Sequence, residues 1–190
     1  MTANPAVSIT VNGGGSTHGV EFVGRGLIDI GTSSHGLKQS ERDEYPDLQV
    51  YTIARFALAI VTHPGVGITE LSEIEAREIF SGTIANWSEV GGPDAAIVVV
   101  SREEGSGTRS YFESIVMDGA SITADIVEAT NTELRGTVAA TPNAIGYLPF
   151  GVLDSSVNTL AMEGVDATEA NVMNGSYPIA RCGAVGVRKS

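Results

Sequence analysis

Cysteine and positive charge are both scarce in this sequence. One cysteine, Cys182, stands among 190 residues, which excludes an internal disulfide framework and a metal site built from cysteines alone. The sequence has 11 lysines and arginines against 23 aspartates and glutamates, which gives a net charge of -12. The basic residues never form a run of three. A protein that neutralises nucleic-acid phosphates needs a basic face. The composition therefore predicts no nucleic-acid partner.

Long hydrophobic runs are absent as well. The longest apolar stretches are residues 56–61 and 95–100, far shorter than the roughly 20 residues that a membrane-spanning helix needs. The first residues, MTANPAVSITV, have neither a basic region nor a sustained apolar core, so we expect no secretory signal in them. A hydrophobic content of 42% can nevertheless form a core over this length, in one domain or two small lobes.

Segments typical of strands and helices alternate along the chain. We predict strands at 7–11, 27–31, 48–53, 56–61, 97–100, 144–148 and 157–160, and helices at 17–23, 69–80, after residue 108 and at 168–174. In the helix at 69–80, Leu71, Ile74 and Ile79 share one face, and Gly82 follows as a C-cap. The alternation predicts an α/β fold.

The loop between the strand at 97–100 and the next helix has the composition of an anion site. A helix N-terminus exposes unpaired N–H groups, Gly107 allows close approach to the backbone, and the hydroxyls of Ser106 and Thr108 add donors. Arg102 can present a forked cation to a tetrahedral oxyanion. The alternative is that Ser106 only caps a helix while Arg102 pairs with a neighbouring glutamate at the surface.

A second glycine loop, residues 12–16, ends at Ser16, a possible donor at the start of a helix. Asp29 lies at the end of the predicted strand 27–31, just before Gly31, Thr32 and Ser33. A buried carboxylate there suits an anion that carries a proton, so it would select phosphate over fully ionised sulfate. Ser33 supports this site. The alternative reading of Asp29 is a turn cap that accepts from nearby backbone N–H groups.

Several catalytic and cofactor motifs fail in this sequence. His18 stands where a dinucleotide fingerprint would need glycine, and no G-K-[ST] triplet is present. No G-x-S-x-G nucleophile elbow occurs, and His18, His35 and His63 lack metal-ligand spacing. We therefore expect no metal, no cofactor and no catalytic residue.

The blocks ITVNGGGSTHGV, GLIDIGTSS, REEGSGTRSYFE, NAIGYLPF and ATEANVMNGSYPIAR follow one another in a specific order and spacing. Over most of residues 8–181 the chain resembles the phosphate-binding proteins of phosphate ABC transporters, which have the type 2 periplasmic-binding fold. The resemblance implies a phosphate ion held between two α/β lobes. It assigns phosphate contacts to Ser16, Asp29, Arg102, Ser106, Gly107 and Thr108. It assigns to Glu104 the orientation of Arg102.

The resemblance also implies that this chain is shortened at both ends. Family members begin with a further strand, anion loop and helix, and they continue past the Tyr-Pro-Ile-x-Arg block into a strand and C-terminal helices. We expect an incomplete lobe one at 1–55 plus 182–190, a whole lobe two at 56–181, and the ligand cleft between them. His35 stands where many relatives have arginine.

The resemblance implies an extracytoplasmic, non-enzymatic receptor that delivers phosphate to a membrane permease, with possible self-association through the incomplete lobe. Three alternatives stay open at this point. The chain could bind another oxyanion such as sulfate, it could be a phosphate-ester hydrolase or transferase, or it could keep the fold with weak or no binding. Asp29 argues against the first, and the lack of a nucleophile beside a base argues against the second.

Overall fold

The computed structural model of the chain describes residues 8–11, 16–33 and 37–188, with side chains at all of these except 16–17, 52–55 and 181–188. The chain divides into two compact units. Unit 1 is Met1–Ala54 with Cys182–Ser190, and unit 2 is Arg55–Arg181.

The described elements follow one another in α/β order, as predicted. The helices are α1 (Ser16–Gly24), α2 (Gln39–Glu44), α3 (Glu73–Ser81), α4 (Gly107–Phe112), α5 (Asn131–Ala140) and α6 (Glu169–Asn174). The strands are β1 (Ile30–Ser33), β2 (Leu48–Thr62), β3 (Glu70–Leu71), β4 (Val98–Arg102), β5 (Ile126–Glu128), β6 (Ala144–Pro149), β7 (Asn158–Thr159), β8 (Ala161–Met162) and β9 (Ala180–Arg188). Short 3₁₀ turns lie at Trp87–Val90 and Phe150–Val152, and α4 continues into a π-helical turn, Glu113–Met117.

In unit 1, the backbones of helix α1 and strand β1 approach each other closely, with no side chain between them at Gly19 and Gly31. A Cβ built on Gly31 would lie 2.1 Å from the carbonyl oxygen of Gly19, and one on Gly19 would lie 2.5 Å from that of Thr32. Val20 and Val23 are buried on the same helix. Two glycines are therefore required for this backbone-to-backbone approach. β1 pairs antiparallel with β9, with Ser33 opposite Ala184.

The sheet of unit 2 is built around β4. This strand lies between β5 and β6 and is parallel to both, while β2 pairs antiparallel with β6 and with β7. Val99, Val100 and Ser101 are buried, which explains the continuous apolar run that predicts a strand covered on both faces. β3 and β8 form a separate parallel pair.

An aromatic cluster packs beneath the C-terminal end of β4. The rings of Phe112 and Tyr147 are stacked with centroids 4.1 Å apart, and Phe80 meets both rings edge to face. All three side chains are fully buried. This cluster packs α4 against β6, and the loop between β4 and α4 lies next to it.

Helix α3 confirms the predicted helix, with a different start and a different buried face. Ser72 is the N-cap and Gly82 ends the helix in the left-handed conformation (φ 82°), as expected. Leu71, however, belongs to β3, and the side chain of Ile74 is 62% exposed. The helix begins one turn later than predicted, because Ser72 and Glu75 form a reciprocal capping box.

Other expectations held in part. Helices α1 and α6 and strands β4 and β6 match their predictions within a few residues. Residues 8–11 have neither helix nor strand, and β1 begins at Ile30, three residues after the predicted start. The two runs at 48–53 and 56–61 form the single strand β2. The sequence patterns do not predict helices α2 and α5.

Among the described residues, no helix combines the length and the apolar composition that crossing a membrane requires.

Gly31→Ala is expected to destabilise the protein. The new methyl group would lie 2.1 Å from the carbonyl oxygen of Gly19, so α1 must move away from β1, at a cost of about 1–3 kcal/mol. The measurement is urea unfolding followed by circular dichroism. Gly136→Ala in α5 is the matched control, because a Cβ there meets no atom within 4 Å. It should stabilise the helix by about 0.5–1 kcal/mol, and equal stabilities of the two variants would contradict the packing described.

Candidate anion-binding site

The loop between β4 and α4 contains the first group of predicted site residues. Ser106 is the N-cap of α4, and its Oγ accepts a hydrogen bond from the backbone N–H of Arg109 at 3.4 Å. Its own backbone N–H donates to the carbonyl of Glu103 at 3.3 Å. The side chain is buried. The capping role that the sequence predicts as an alternative is therefore present, and it holds the start of the helix in place.

Gly107 and Thr108 open helix α4. A Cβ built on Gly107 would meet no heavy atom within 4 Å, so packing within the chain does not require glycine there. The Oγ1 of Thr108 accepts a hydrogen bond from Nδ2 of Asn131 at 3.3 Å. An exposed glycine at the first turn of a helix leaves the backbone N–H groups open to close approach by a ligand.

Arg102, the last residue of β4, is held by three neutral acceptors. Its Nε–H donates to the carbonyl of Glu128 at 3.2 Å, and Nη2 donates to the carbonyl of Ala129 at 2.6 Å. Nη1 donates to Oδ1 of Asn131. A guanidinium carries five N–H groups, so one remains on each terminal nitrogen. The fork is fixed in orientation and still has donors to offer.

Arg102 differs from the other arginines of unit 2 whose side chains are described, because it has no carboxylate partner. Arg77 pairs with Glu73 at 3.2 Å, Arg109 with Glu113 at 2.8 Å and Arg135 with Asp154 at 3.0 Å. The hydrogen bond that Arg109 donates to the Glu113 carboxylate raises the pKa of Arg109 above its usual range. Among the arginines of unit 2 whose side chains are described, Arg102 alone has no ion pair within 4 Å. Its positive charge is not neutralised locally.

The backbone of Arg102 is fixed on both sides. Its N–H donates to Oη of Tyr147 at 3.2 Å, and its carbonyl accepts from Nη1 of Arg109 at 3.2 Å. Tyr147 also shares a hydrogen bond of 2.8 Å with Oγ of Ser101. Burial raises the pKa of Tyr147, and the bond with Ser101 only partly offsets that effect. The buried, neutral side chain of Tyr147 therefore holds the backbone of Arg102 in place.

Glu104 does not orient Arg102 in this structure. Its side chain is exposed, and neither Glu103 nor Glu104 forms an ion pair with the guanidinium. The alternative interpretation, a surface pair between Arg102 and a neighbouring glutamate, is wrong for the same reason. The guanidinium extends toward the junction of β5 and α5, where carbonyl oxygens and Asn131 take up its N–H groups.

The remaining predicted site residues belong to unit 1. Ser16 is the first residue of α1, and its side chain lies outside the described residues. Ser33 is buried at the end of β1. Asp29 is exposed and lies in a bend before β1, so the prediction that it ends a strand as a buried carboxylate is wrong. Within unit 2, the structure brings Arg102 together with the loop of Ser106, Gly107 and Thr108.

Asn131 and Tyr147 contact the predicted site residues and were not singled out in the sequence. A local signal for Asn131 existed. Thr130 and Glu133 have the spacing of a capping box, and in the structure Thr130 accepts from the N–H of Glu133 at 3.1 Å while its hydroxyl contacts the Glu133 carboxylate at 2.8 Å. This pattern identifies Asn131 as the first residue of a helix. Only the structure shows that this helix starts beside Arg102.

Comparisons with known proteins identify the family of this chain. Residues 1–182 match the family model of a PBP superfamily domain. The phosphate-binding protein PstS of Bacillus subtilis strain 168 is 37% identical over 180 residues, an alignment that covers 94% of this chain and 60% of the relative. The chain therefore spans 60% of the length of that relative.

Solved structures show the same likeness. An ABC-type phosphate transport receptor from Vibrio cholerae is 32% identical with a TM-score of 0.78, over 98% of this chain and 78% of that one. A phosphate ABC transporter substrate-binding protein from Clostridium perfringens, solved with bound phosphate, is 36% identical with a TM-score of 0.66, over 99% of this chain and 77% of that one. The chain therefore belongs to the PBP superfamily and, within it, to the phosphate-binding proteins.

Proposed function

We propose that this chain binds inorganic phosphate and serves as the receptor component of an ABC-type phosphate importer. The observation that carries this proposal is the fixed guanidinium of Arg102, which lacks a carboxylate partner and retains one N–H on each terminal nitrogen. The loop of Ser106, Gly107 and Thr108 adds the first turn of a helix. The relatives from Bacillus, Vibrio and Clostridium are named as phosphate-binding or phosphate-transport proteins, which supports phosphate as the ligand of this chain.

The groups at this site are suited to holding an anion, not to reacting with it. Arg102, Ser106, Thr108 and Asn131 supply hydrogen-bond donors or fix them, and none of the four is a carboxylate, a histidine or a cysteine. General acid–base or nucleophilic chemistry needs a group of suitable pKa beside the reacting atom. We therefore propose a non-enzymatic receptor, and a phosphate-ester hydrolase is not favoured.

The same proposal extends to location and partners. A receptor of this kind works outside the cytoplasm and passes its ligand to the permease of the transporter, and we propose both for the whole protein. We also propose that Ser16, Asp29 and Ser33 of unit 1 contribute contacts to the phosphate. The net charge of -12 is compatible with anion binding, because charges beyond about 10 Å are screened while local donors act at contact distance.

Arg102→Lys is expected to weaken phosphate binding about 100-fold, because lysine loses the forked donor and the contacts that hold it in place. Isothermal titration calorimetry with inorganic phosphate measures the effect. Arg135→Lys is the matched control, since Arg135 is already paired with Asp154 and bonded to the carbonyl of Val152. Unchanged affinity in Arg102→Lys would remove the arginine from the site.

Asp29→Asn is expected to lower phosphate affinity and to admit sulfate. A carboxylate accepts the proton that phosphate carries and repels fully ionised sulfate, whereas an amide can donate to either anion. Titrations with both anions provide the readout. Asp47→Asn changes the same charge at another exposed position of unit 1 and should leave both affinities as they are. If Asp29→Asn still binds phosphate normally and excludes sulfate, Asp29 has no selective role.

Self-association through unit 1 is a further proposal. The side chains of Leu27 and Ile30 are 64% and 58% exposed, and neighbouring exposed apolar groups favour contact with another surface. Sedimentation velocity should show a mass that rises with concentration and a weaker rise in Leu27→Ser. The mass of a single chain at every concentration would contradict the proposal.

A further inference from the structure

Asn131 joins the two donor groups of the site through its side-chain amide. Its Oδ1 accepts from Nη1 of Arg102, and its Nδ2 donates to Oγ1 of Thr108 at 3.3 Å. The side chain is half-buried at the first position of α5. One residue thus touches both the cation at the end of β4 and the hydroxyl in the first turn of α4.

The chemistry of the three groups fixes which way the amide faces. A guanidinium has N–H groups and no acceptor, so the amide atom beside Arg102 must be the oxygen. The NH₂ group must then face Thr108, and the threonine oxygen must accept. A threonine hydroxyl that accepts from Asn131 retains its own hydrogen for another partner.

We propose that Asn131 is a positioning residue that makes Thr108 a donor and fixes the donors of Arg102, so that these two side chains contact only acceptor oxygens of the ligand. This inference rests on the proposed phosphate binding and adds the residue that sets the polarity of the site. Without Asn131, Thr108 could rotate to accept from a ligand, and Arg102 would lose one of its three anchors.

The position of Asn131 is itself well determined. Thr130 caps α5 and Leu134 is fully buried on the same helix, which fixes the first turn. β5 pairs with β4 in parallel register, with Glu128 opposite Arg102, so the chain leaves both strands at the same edge of the sheet. The amide therefore stays beside Arg102 at no additional cost in chain entropy when a ligand binds.

Two substitutions at Asn131 distinguish the loss of its hydrogen bonds to Arg102 and Thr108 from the replacement of its donor group by an acceptor. Asn131→Ala removes both hydrogen bonds, and phosphate affinity should fall about 10-fold. Asn131→Asp presents acceptors to both neighbours, so it accepts a hydrogen bond from the Thr108 hydroxyl and pairs with the charge of Arg102, and affinity should fall about 100-fold. Asn158→Asp, an identical charge change at an exposed site of unit 2, should leave the affinity unchanged.

The effect of Thr108→Val on phosphate affinity tests whether Asn131 acts through Thr108. If Asn131 had only a structural role, this effect would be the same in wild-type protein and in Asn131→Asp. Against wild-type Asn131, valine removes the donor, and phosphate affinity should fall about 10-fold. Against Asn131→Asp, the threonine proton is already engaged by the carboxylate, so valine should cause little further loss. Fully additive losses in the double variant would overturn the proposal, because the two residues would then act independently.

A measurement without phosphate separates failure of this inference from failure of the proposed function. The ¹⁵N–¹H signal of the Arg102 Nε–H, assigned by its absence in Arg102→Lys, should exchange faster with solvent in Asn131→Ala and stay unchanged in Asn158→Asp. If wild-type protein binds no phosphate, the proposed function is wrong, and this signal still tests whether Asn131 holds Arg102. If wild-type protein binds but both Asn131 variants keep its affinity and its Arg102 signal, the positioning role is wrong.

Discussion

A guanidinium held in place by neutral acceptors is the interaction on which this site depends. Two backbone carbonyls and one side-chain amide take up three N–H groups of Arg102, and none of them cancels its charge. An ion pair would fix the side chain equally well but would offset the field that attracts an anion. Arg77, Arg109 and Arg135 of the same unit are fixed by carboxylates instead. Arg102 is therefore held in place while no ion pair offsets its charge.

The parallel pairing of β4 and β5 makes this arrangement possible. Arg102 lies opposite Glu128, so the loop into α4 and the loop into α5 leave the sheet at one edge. Ligands bind at this carboxyl edge in open α/β sheets because the helix N-termini and the loop donors converge there. Beneath the edge, Tyr147 bonds the backbone of Arg102 while its ring stacks on Phe112 of α4. Packing in the core thus sets the position of the donors.

The sequence predicts the local parts of the site and misses the long-range ones. A buried strand, a glycine loop and a helix form a contiguous pattern, so Arg102 and the loop from Ser106 to Thr108 could be found by reading along the chain. The place of Asn131 depends on the register of β5 against β4, which no local pattern specifies. Glu104 shows the converse, since its closeness to Arg102 in sequence does not bring the two side chains into contact.

The same limit applies to the fold. Helices with clear caps, such as α3 and α6, and strands with continuous apolar runs, such as β4 and β6, follow from local composition. The exposure of Ile74 and the late start of β1 do not, because both depend on which neighbours cover each face. The close contact of Gly19 with the backbone of β1 likewise depends on tertiary packing, and the presence of glycines in the sequence does not predict it.

Calorimetric titration of the unmodified chain with inorganic phosphate, with sulfate as the control, shows whether the chain is a selective phosphate receptor. We expect saturable binding of one phosphate per chain and no heat of binding with sulfate. A folded sample that gives no phosphate heat, or that binds both anions alike, would contradict this expectation.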